Sequence, residues 1–596
     1  MAAVARYLAP ILTGRSRVKY IVAAVFWAVS AVFFWRWWLQ PSHMIEPIRF
    51  GLATLSLGWI YFLQGYFVIV FLNGSRSVAP DPSPEQWRVA MVVTKTPGEP
   101  LSLLQRTLTA MLAQDYPHDT WLADEDPSPA TIAWCEAQGV RISTRKDVAA
   151  YHQALWPRRT RCKEGNLAYF YDHFGYENYD IVAQLDADHV PQPGYLREML
   201  RPFADPDVGY VSAPSICSAN AKESWAARSR LDTEAAFHGA LQCGYTTLFT
   251  SICIGSHYAV RTSALRQIGG LGPELAEDHS TSMLMAAGGW RGVHAIDAIA
   301  YGDGPANVAD LATQEFQWSR SLVTLLLSHT SRYLPALPAR LKFLFLFGQS
   351  WYVFFSFFMC FLYFSPIWAL ALDARYADVT YPAFVLHMLP TTLILCWFAT
   401  AIRRDGLFRP YDGKIFGLSK MMFIFLQWPW VLWGCLMAVR DRVTGKFVDF
   451  RVTPKGEAAS QRLPSKVVAV YTALALGALA PVLLMTNVGE ARGFHILSGL
   501  NALIYAGIVM SVVVRHLRDN ASEWRRRWHV AAFQMGSVVS LTVLIGMAVT
   551  SRGVESLYAL SIGLEPFQIA RAEYSVAGAG MNDYRRVHFR FDPGWN

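Results

Sequence analysis

The chain has 596 residues, more than one ordinary domain needs, and 53% of them are hydrophobic while only 16% are charged. Apolar stretches of about 20 residues, the length that crosses a hydrocarbon layer, lie on both sides of a central region of ordinary composition, which excludes a wholly soluble protein. The basic residues behind the net charge of +8 lie where apolar stretches end, as at Arg403, Arg404 and Arg525. A preference for basic residues on the inner side of a membrane explains this placement, so we expect no nucleic acid partner.

The apolar stretches predict about seven membrane spans, starting from an N-terminus on the inner side. The first stretch follows Arg15, Arg17 and Lys19, is rich in tryptophan and lacks a small-residue cleavage site, so we interpret it as a retained anchor. The predicted spans are Tyr20–Leu39, Phe50–Leu72, Trp351–Leu372, Tyr381–Ile402, Val467–Met485, Ile496–Val514 and Val530–Val549.

A further apolar stretch, Phe416–Val439, is long enough to span but lies between two basic loops. A crossing at this point would leave one basic loop outside. Pro429, between Trp428 and Trp430, also favours an interfacial or re-entrant segment. We therefore predict seven spans with the C-terminus outside, and an eighth span stays open as the alternative.

The same stretches predict the organisation of the chain. Two membrane helices lie in 1–78, a cytosolic domain in 79–331, and an interface helix with two spans in 332–402. A cytosolic interfacial helix and loop follow in 403–466, then three spans in 467–550 and a tail in 551–596. The pattern assigns no role to the tail.

The central region alternates short apolar runs with helical patterns. The runs Val89–Val93, Ile181–Gln184 and Gly209–Val211 are typical of buried strands, whereas Leu101–Leu112 and Gly165–Phe174 show helical spacing. Strands that alternate with helices predict an α/β fold with a mostly parallel sheet. Ligands of such sheets bind beyond the carboxyl ends of the strands, so the functional residues are expected there.

The sharpest local signal is an apolar strand that ends in two carboxylates, Asp186 and Asp188, separated by one residue. At this spacing on extended chain, both side chains can be directed at one cation. Oxygen ligands suit Mg²⁺ or Mn²⁺, which keep other positions for water and phosphate oxygens. The spacing alone does not separate such a site from a solvated acidic turn.

A second acidic pair, Glu277 and Asp278, follows a glycine-rich turn and begins a helical pattern. A carboxylate here could act as a general base that takes the proton from an acceptor hydroxyl. Taken alone, the pair is better explained as acidic residues that the helix dipole favours in a first turn.

The segment Gln314-Glu-Phe-Gln317-Trp318 lies just before the chain returns to the membrane. Trp318 could stack on the face of a sugar, and the amides could bind hydroxyls or phosphates. Tryptophan is common at membrane interfaces in any case. The order and spacing of the whole set of motifs therefore indicates a site more strongly than this segment does alone.

Together the motifs resemble those of the processive family 2 glycosyltransferases of the cellulose synthase group, over about Val89–Gln461. The matching segments are Lys163-Glu-Gly165-Asn166 for the KAGN segment, Asp186-Ala-Asp188 for DxD, Ala276-Glu277-Asp278 for TED, Gln314 to Trp318 for QxxRW, and Phe450-Arg451-Val452-Thr453 for the FxVT gating loop. The resemblance implies a GT-A domain inserted in an α-helical transmembrane bundle, with a UDP-sugar donor and Mg²⁺ or Mn²⁺ as cofactor.

The resemblance also implies roles on the donor side. Asp124 or Asp126 would contact the uridine, and Lys163 the nucleotide. Asp186 and Asp188 would contact the nucleotide and the metal ion.

On the acceptor side, the resemblance makes Asp278 the base, with Glu277 beside it. Gln314 and Trp318 would meet the diphosphate and the acceptor end of the glycan. The gating-loop segment must be cytosolic, which agrees with the charge argument for seven spans.

Two departures from the family pattern bear on activity. Gln317 stands where the family has arginine, so a permanent cation near the leaving diphosphate is missing, and Arg320, one helical turn on, is a candidate substitute. Ala276 stands where the family has threonine.

The expected function is processive, inverting transfer of a hexose, with glucose as the expected sugar, from a UDP-sugar to a β-glucan that leaves through the membrane helices. Alternatives are a hyaluronan- or chitin-type synthase, a catalytically impaired channel or scaffold subunit, and a non-processive enzyme that glycosylates a lipid carrier. The expected partners are the growing polysaccharide, the lipid bilayer and an accessory or periplasmic export subunit. The expected location is a bacterial inner membrane, with the catalytic domain in the cytoplasm.

Overall fold

The computed structural model describes residues 6–96, 98–445, 463–519, 528–561, 571–574 and 585–588. These residues belong to two compact units. The first unit draws on Met1–Lys19, Tyr66–Ser356 and Thr400–Gln461, and the second on Tyr20–Gly65, Phe357–Ala399 and Arg462–Asn596. The domain limits predicted from the sequence stay a prediction.

The strands are short, and most of them lie in the first unit. In chain order they are β1 Leu8–Pro10, β2 Ser75–Ser77, β3 Val89–Lys95, β4 Asp119–Asp124, β5 Arg141–Ser143, β6 Ile181–Asp186, β7 Val190–Pro191, β8 Val208–Ser212, β9 Ser215–Ile216, β10 His257–Arg261, β11 Arg291–His294, β12 Ala300–Tyr301, β13 Arg571–Tyr574 and β14 Arg585–His588. β1 pairs with β2, and β13 pairs with β14, each pair antiparallel.

The main sheet among the described strands has the order β11-β8-β10-β6-β3-β4-β5. β6, β3, β4 and β5 run parallel, whereas β10 is antiparallel to both of its neighbours, β6 and β8. The three predicted strands are present as β3, β6 and β8 with slightly wider limits. The prediction of an α/β fold with a mostly parallel sheet is confirmed.

Both faces of this sheet are buried, as β3 illustrates. On one face Met91 and Val93 share a core with Leu104, and on the other Val92 shares a core with Phe170. Because successive side chains of a strand point to opposite faces, a strand covered on both sides needs apolar residues at every position. This explains the uninterrupted apolar run of β3.

The helices account for the rest of the regular structure. In chain order they are α1 Gly14–Trp38, α2 Pro47–Leu72, α3 Leu101–Leu112, α4 Pro129–Gln138, α5 Lys163–Phe170, α6 Tyr176–Asn178, α7 Tyr195–Leu200, α8 Trp225–Ala236, α9 Gln242–Leu248, α10 Thr262–Gln267, α11 Glu277–Ala287, α12 Val308–Ser328, α13 Thr330–Tyr333, α14 Ala339–Leu372, α15 Tyr381–Arg404, α16 Leu418–Thr444, α17 Ser465–Leu484, α18 Phe494–Asp519 and α19 Trp528–Ser561. The predicted helix Leu101–Leu112 is α3, and α5 continues as a π-helical segment, Tyr171–Gly175.

Eight helices within the described residues are long and apolar enough to cross a membrane, so the chain is an integral membrane protein. Seven of them, α1, α2, α14, α15, α17, α18 and α19, overlap the predicted spans. The eighth is α16, which covers the stretch that the charge pattern assigns to the interface.

Helix α16 belongs to the first unit and packs along α12. Val431 and Cys435 share a core with Val323 of α12. A Cβ at Gly434 would collide with the Ser319 hydroxyl and lie 2.5 Å from the carbonyl oxygen of Phe316, so the two helices approach closely at a position that only glycine fits. This close packing on a helix that carries polar residues supports the interfacial interpretation of α16, which stays a prediction.

A small sheet of β7, β12 and β9 lies immediately after β6. β12 pairs antiparallel with β7 and parallel with β9. Because β7 begins two residues after Asp188 and β12 ends two residues before Asp303, this sheet holds the turn after β6 beside the loop that leads into α12.

Candidate active site

Charged residues end three neighbouring parallel strands of the main sheet. Lys95 ends β3, Asp124 ends β4 and Asp186 ends β6. Lys95 Nζ lies 3.0 Å from Asp124 Oδ2, and both side chains are buried. Parallel strands present their carboxyl ends at one edge, so these residues form the polar edge that the fold class predicts.

The two aspartates predicted to contact uridine lie in different surroundings. Asp124 is completely buried, whereas 60% of the Asp126 side chain is exposed and pairs with Lys146 Nζ at 2.7 Å. The Lys146 ammonium lowers the pKa of Asp126. Between the two aspartates, Glu125 forms an ion pair with the buried Arg145. The structure thus places Asp124 within the edge of the sheet and Asp126 at the surface.

Lys163 begins α5 and reaches the end of β6. Its Nζ donates hydrogen bonds to Asp186 Oδ1 at 2.8 Å and to the carbonyl oxygen of Gly255 at 2.6 Å. Asn166 donates through Nδ2 to the carbonyl oxygen of Ala123 at 3.0 Å, which fixes α5 against β4. The structure therefore brings together the predicted residues Lys163 and Asp186.

Asp188 lies in the turn after β6 and is buried. It accepts hydrogen bonds from His189 Nδ1 at 3.3 Å and from the Asp303 amide at 3.1 Å. Burial alone would lower the pKa of His189, but the Asp188 carboxylate outweighs it and raises the pKa to about 10. Coordination of a metal ion through this imidazole would therefore require loss of its proton, because a histidine ligand is the neutral form.

Asp186, Asp188 and His189 have ligand atoms that all lie within 4.8 Å of one another, and no other such group occurs in the part of the chain that the structure describes. Two carboxylates suit Mn²⁺ as well as Mg²⁺, whereas an imidazole favours the transition metal ion. The residues present therefore fit a divalent cation, with His189 as a donor that the sequence interpretation did not include.

The second acidic pair begins α11. Asp278 accepts a hydrogen bond from the His279 amide at 2.7 Å. A Cβ at Gly255 would lie only 3.2 Å from Asp278 Oδ2, so this carboxylate faces the same glycine whose carbonyl oxygen binds Lys163. Glu277 is buried, and its Oε1 atom has no hydrogen-bond partner among the described residues. Asp278 faces Gly255, and both carboxylates of the pair interact electrostatically with Lys163.

The surroundings of this pair make both carboxyl groups harder to ionise. Burial raises the pKa of Asp278, against the opposing effects of the His279 amide and the Lys163 ammonium. Burial also raises the pKa of Glu277, where Lys163 opposes the shift and the charge of Asp278 adds to it. A carboxylate with a raised pKa is a better proton acceptor than an exposed one, which suits a general base.

The polar residues of α12 meet a side chain from α8. Gln314 Oε1 accepts a hydrogen bond from Arg230 Nη1 at 3.0 Å. The Arg230 guanidinium carbon lies 4.2 Å from the centroid of the Trp318 ring, a cation–π contact. Gln317, on the same helix, is buried. The structure thus brings Gln314 and Trp318 together around a cation that the sequence interpretation did not select.

Arg320 has a different environment from Gln314 and Trp318. Its Nε donates to Asp441 Oδ2 of α16 at 2.7 Å, in a largely buried ion pair. Arg440 also donates to Asp441, at 2.8 Å. The predicted contact of Arg320 with a diphosphate stays a prediction, and the predicted gating-loop residues Phe450, Val452 and Thr453 lie outside the described residues.

Three residues of the site were missed by reasoning from the sequence. Lys95 carries a usable signal, because it ends an apolar strand as Asp186 does. His189 directly follows the acidic motif and was available on position alone. Arg230 has no local signal, since its contact with Gln314 joins residues 84 positions apart.

Comparison with known families matches residues 181–399 to the glycosyl transferase family group 2. The chain is 24% identical over 325 residues to a Komagataeibacter xylinus protein, cellulose synthase 1 catalytic subunit [UDP-forming]. The aligned region covers 52% of this chain and 42% of that protein. It is 25% identical over 319 residues to the cellulose synthase catalytic subunit [UDP-forming] of Xanthomonas axonopodis pv. citri (strain 306), with 50% and 41% covered. The match thus spans about two fifths of the length of these relatives.

Among solved structures, the chain is similar to the mannosyltransferase PcManGT from Pyrobaculum calidifontis in complex with GDP-Man and Mn²⁺. The TM-score is 0.41 at 15% identity, with 72% of this chain and 99% of that chain covered. It is also similar to glucosyl-3-phosphoglycerate synthase from Mycobacterium tuberculosis, with a TM-score of 0.28 at 15% identity and 44% and 86% covered.

Proposed function

Because the chain carries a glycosyltransferase domain of family group 2 and is a distant relative of bacterial cellulose synthase catalytic subunits, we propose that it is a processive inverting glycosyltransferase. It transfers a hexose, with glucose as the first candidate, from a UDP-sugar to the growing end of a β-glucan. Two relatives carry UDP-forming in their names, which supports the choice of nucleotide. The observation that carries the proposal is the convergence of Lys163, Asp186 and Asp278 around Gly255.

Asp278 is the general base of the proposed reaction. Its carboxylate takes the proton of the acceptor hydroxyl while the hydroxyl oxygen forms a bond to the anomeric carbon of the donor sugar. The bond from that carbon to the β-phosphate oxygen breaks, and its electron pair leaves with UDP. Attack from the face opposite the leaving group converts an α-linked donor into a β-linked product.

The carboxyl ends of the strands bind the donor. Asp186 and Asp188, with His189 beside them, would hold Mg²⁺ or Mn²⁺, which when bound offsets the negative charge of the diphosphate. Lys163 positions Asp186 and adds a second cation at the phosphates. Asp124 is our candidate for the uridine contact in preference to the exposed Asp126.

The acceptor end of the glycan stacks on Trp318 in this proposal, and the polymer leaves through the membrane helices. The partners are the lipid bilayer, the growing polysaccharide and an accessory or periplasmic export subunit, and the location is a bacterial inner membrane with the catalytic domain in the cytoplasm. A cysteine placed at Asn596 tests the seven-span topology. Labelling by an impermeant thiol reagent from outside supports it, and protection of that cysteine contradicts it.

A second candidate function is a catalytically impaired channel or scaffold subunit. Gln317 favours it, because glutamine provides no positive charge where the family that the motifs resemble has arginine. Within the enzyme class, a chitin- or hyaluronan-type product is the alternative to a β-glucan. One assay with several donors separates these functions.

The test uses the purified full chain in lipid vesicles with Mg²⁺ or Mn²⁺ and, separately, radiolabelled UDP-glucose, UDP-N-acetylglucosamine or UDP-glucuronate. We expect a high-molecular-weight product from UDP-glucose that a linkage-specific β-glucanase degrades. Asp278→Asn should abolish this product, whereas Asp207→Asn, a change at an exposed carboxylate of the same unit, should not. The proposal is refuted if no donor gives a polymer and Asp188→Asn leaves UDP binding unchanged. Metal-dependent UDP binding without any polymer would instead favour the scaffold subunit.

A further inference from the structure

The candidate active site is rich in carboxylates. Asp186, Asp188, Glu277 and Asp278 converge there, and the ammonium of Lys163 is already paired with Asp186. A departing nucleoside diphosphate adds more negative charge, which is best stabilised by fixed hydrogen-bond donors directed at it. A guanidinium suits this task, because it stays charged and presents several N–H groups in one plane.

Arg230, in the middle of α8, has a guanidinium that is held on three sides. Its Nε donates to Glu234 Oε1 at 3.0 Å, its Nη1 donates to Gln314 Oε1 at 3.0 Å, and its plane covers the ring of Trp318. The side chain is 12% exposed. Within the described residues, Nη2 has no hydrogen-bond acceptor, so a fixed N–H edge of this cation is available to a ligand.

The contacts around α8 tie Arg230 to the acidic turn. Ser224, which caps the N-terminus of α8, donates through Oγ to the carbonyl oxygen of Pro305 at 2.6 Å. Two residues earlier, the amide of Asp303 donates to Asp188 Oδ2 at 3.1 Å. One short loop therefore contacts both the proposed metal-binding carboxylate and the helix that carries Arg230.

Arg320, the other arginine near this segment, is less available. Its Nε and one of its terminal nitrogens both bond to Asp441, in a pair whose side chains are 13% and 10% exposed. Recruiting Arg320 to a diphosphate would break this pair and leave Asp441 with Arg440 alone. Arg230 can bind an additional acceptor without losing any of its present contacts.

We propose that Arg230 binds the leaving diphosphate and at the same time positions Trp318 against the acceptor sugar. The inference rests on the proposed transferase function and assigns to α8 the positive charge that Gln317 does not supply. Glu234 is a positioning residue, because its carboxylate fixes the rotation of the guanidinium through Nε.

The charge movement in the step is simple. When the bond from the anomeric carbon to the phosphate oxygen breaks, the electron pair moves onto that oxygen. The hydrogen bonds that Arg230 donates become stronger as the negative charge of the diphosphate grows. Arg230 transfers no proton, since the acceptor proton goes to Asp278. Loss of Arg230 should therefore lower UDP affinity and kcat without changing the pH at which Asp278 titrates.

The experiment compares four forms of the full-length chain in lipid nanodiscs: wild type, Arg230→Gln, Arg230→Lys, and Arg230→Gln combined with Gln317→Arg. Arg228→Gln is the matched control, because Arg228 lies on the same helix and pairs with Asp232 and Asp412. The readouts are the affinity for UDP with Mn²⁺ by calorimetry, kcat and KM for UDP release from UDP-glucose, and the melting temperature.

We expect Arg230→Gln to weaken UDP binding by about tenfold to a hundredfold, the effect of losing a charge-assisted hydrogen bond. Arg230→Lys should restore part of this loss, and Gln317→Arg should restore most of it, because the second arginine returns a guanidinium to the same phosphates. Arg228→Gln should bind UDP within about twofold of wild type, since Arg228 pairs with Asp232 and Asp412 and with no residue assigned to the site.

Two results would overturn the inference while leaving the proposed function intact. One is wild-type UDP affinity and kcat in Arg230→Gln. The other is a loss that neither Arg230→Lys nor Gln317→Arg restores and that matches a fall in melting temperature, because that pattern belongs to a purely structural arginine. Failure of the wild-type chain to bind UDP with Mn²⁺ would overturn the proposed function as well.

Discussion

The candidate site has two halves that are built in different ways. In the half that we propose binds the donor, called the donor half below, Lys95, Asp124 and Asp186 end adjacent strands, and strand register alone brings them to one edge. In the half that we propose binds the acceptor, called the acceptor half, Gln314 and Trp318 lie on one helix and acquire their surroundings from other helices. The surroundings of a polar residue at a strand end can therefore be predicted from local sequence. The surroundings of a polar residue on a helix depend on neighbours far away in the chain.

The largest effect is expected where the halves meet, at Asp278. Asp278→Asn removes the proton acceptor but keeps the size of the side chain, so kcat for UDP release should fall by about 10² to 10⁴. UDP affinity, which depends on the donor half, should stay within about threefold of wild type. Stopped assays of UDP release and calorimetry with Mn²⁺ measure the two quantities, and an equal loss in both would assign Asp278 to donor binding.

The donor half is tested by its two aspartates. Asp124→Asn leaves Lys95 buried without a carboxylate and should lower the free energy of unfolding by about 3–5 kcal/mol. Asp126→Asn, at an exposed position paired only with Lys146, should leave the free energy of unfolding unchanged. Chemical denaturation of the two variants checks this, and equal stabilities would contradict the separation of the two aspartates.

The acceptor half is tested by Arg320→Ala. This change removes one of two arginines that bond to Asp441, so the free energy of unfolding should fall by about 1–3 kcal/mol, with Arg440 limiting the loss. Affinity for UDP should not change if the positive charge near the diphosphate comes from Arg230. A loss of UDP affinity in Arg320→Ala without a fall in melting temperature would return that role to Arg320.

The smallest expected effect is a shift in pH dependence. Asp278 must be ionised to accept a proton, and burial raises its pKa against the opposition of the His279 amide and Lys163. Activity should therefore be lost on acidification at a higher pH than the 3.8 of an ordinary aspartate would give. The charge of Asp278 adds to burial in raising the pKa of Glu277, so Glu277 is already protonated where Asp278 titrates, and Glu277→Gln should leave this acid limb in place in a plot of log kcat against pH. An acid limb near pH 4 in both forms would contradict the assignment.

Much of the fold follows from the sequence, for identifiable reasons. β3 and β6 are buried on both faces, so each begins with an unbroken apolar run, Val89–Val93 and Ile181–Ala183, which separates them clearly from the helices. The membrane helices are recognisable from the length of their apolar stretches. The antiparallel β10 was not anticipated, because a single short strand, His257–Arg261, carries no local mark of its direction.

The same distinction separates the site residues that the sequence predicted from those that it did not. Asp186 and Asp188 were selected because their position at the end of an apolar strand is visible in the sequence, whereas Asp278 was selected through its match to a family motif. The partners of Gln314 and Trp318 were not selected, because α8 reaches them only through the fold. The engagement of Arg320 by Asp441 was hidden for the same reason, since its partner lies 121 residues further on.

The loop between the small sheet and α12 has a consequence for where that helix begins. The amide of Asp303 is fastened to Asp188, and Asn307 caps α12 by accepting hydrogen bonds from the amides of Ala309 and Asp310. Only the backbone from 303 to 307 joins these anchors, and a chain of that length spans at most about 3.6 Å for each residue. The N-terminus of α12 is thus held within a short, covalently limited distance of Asp188.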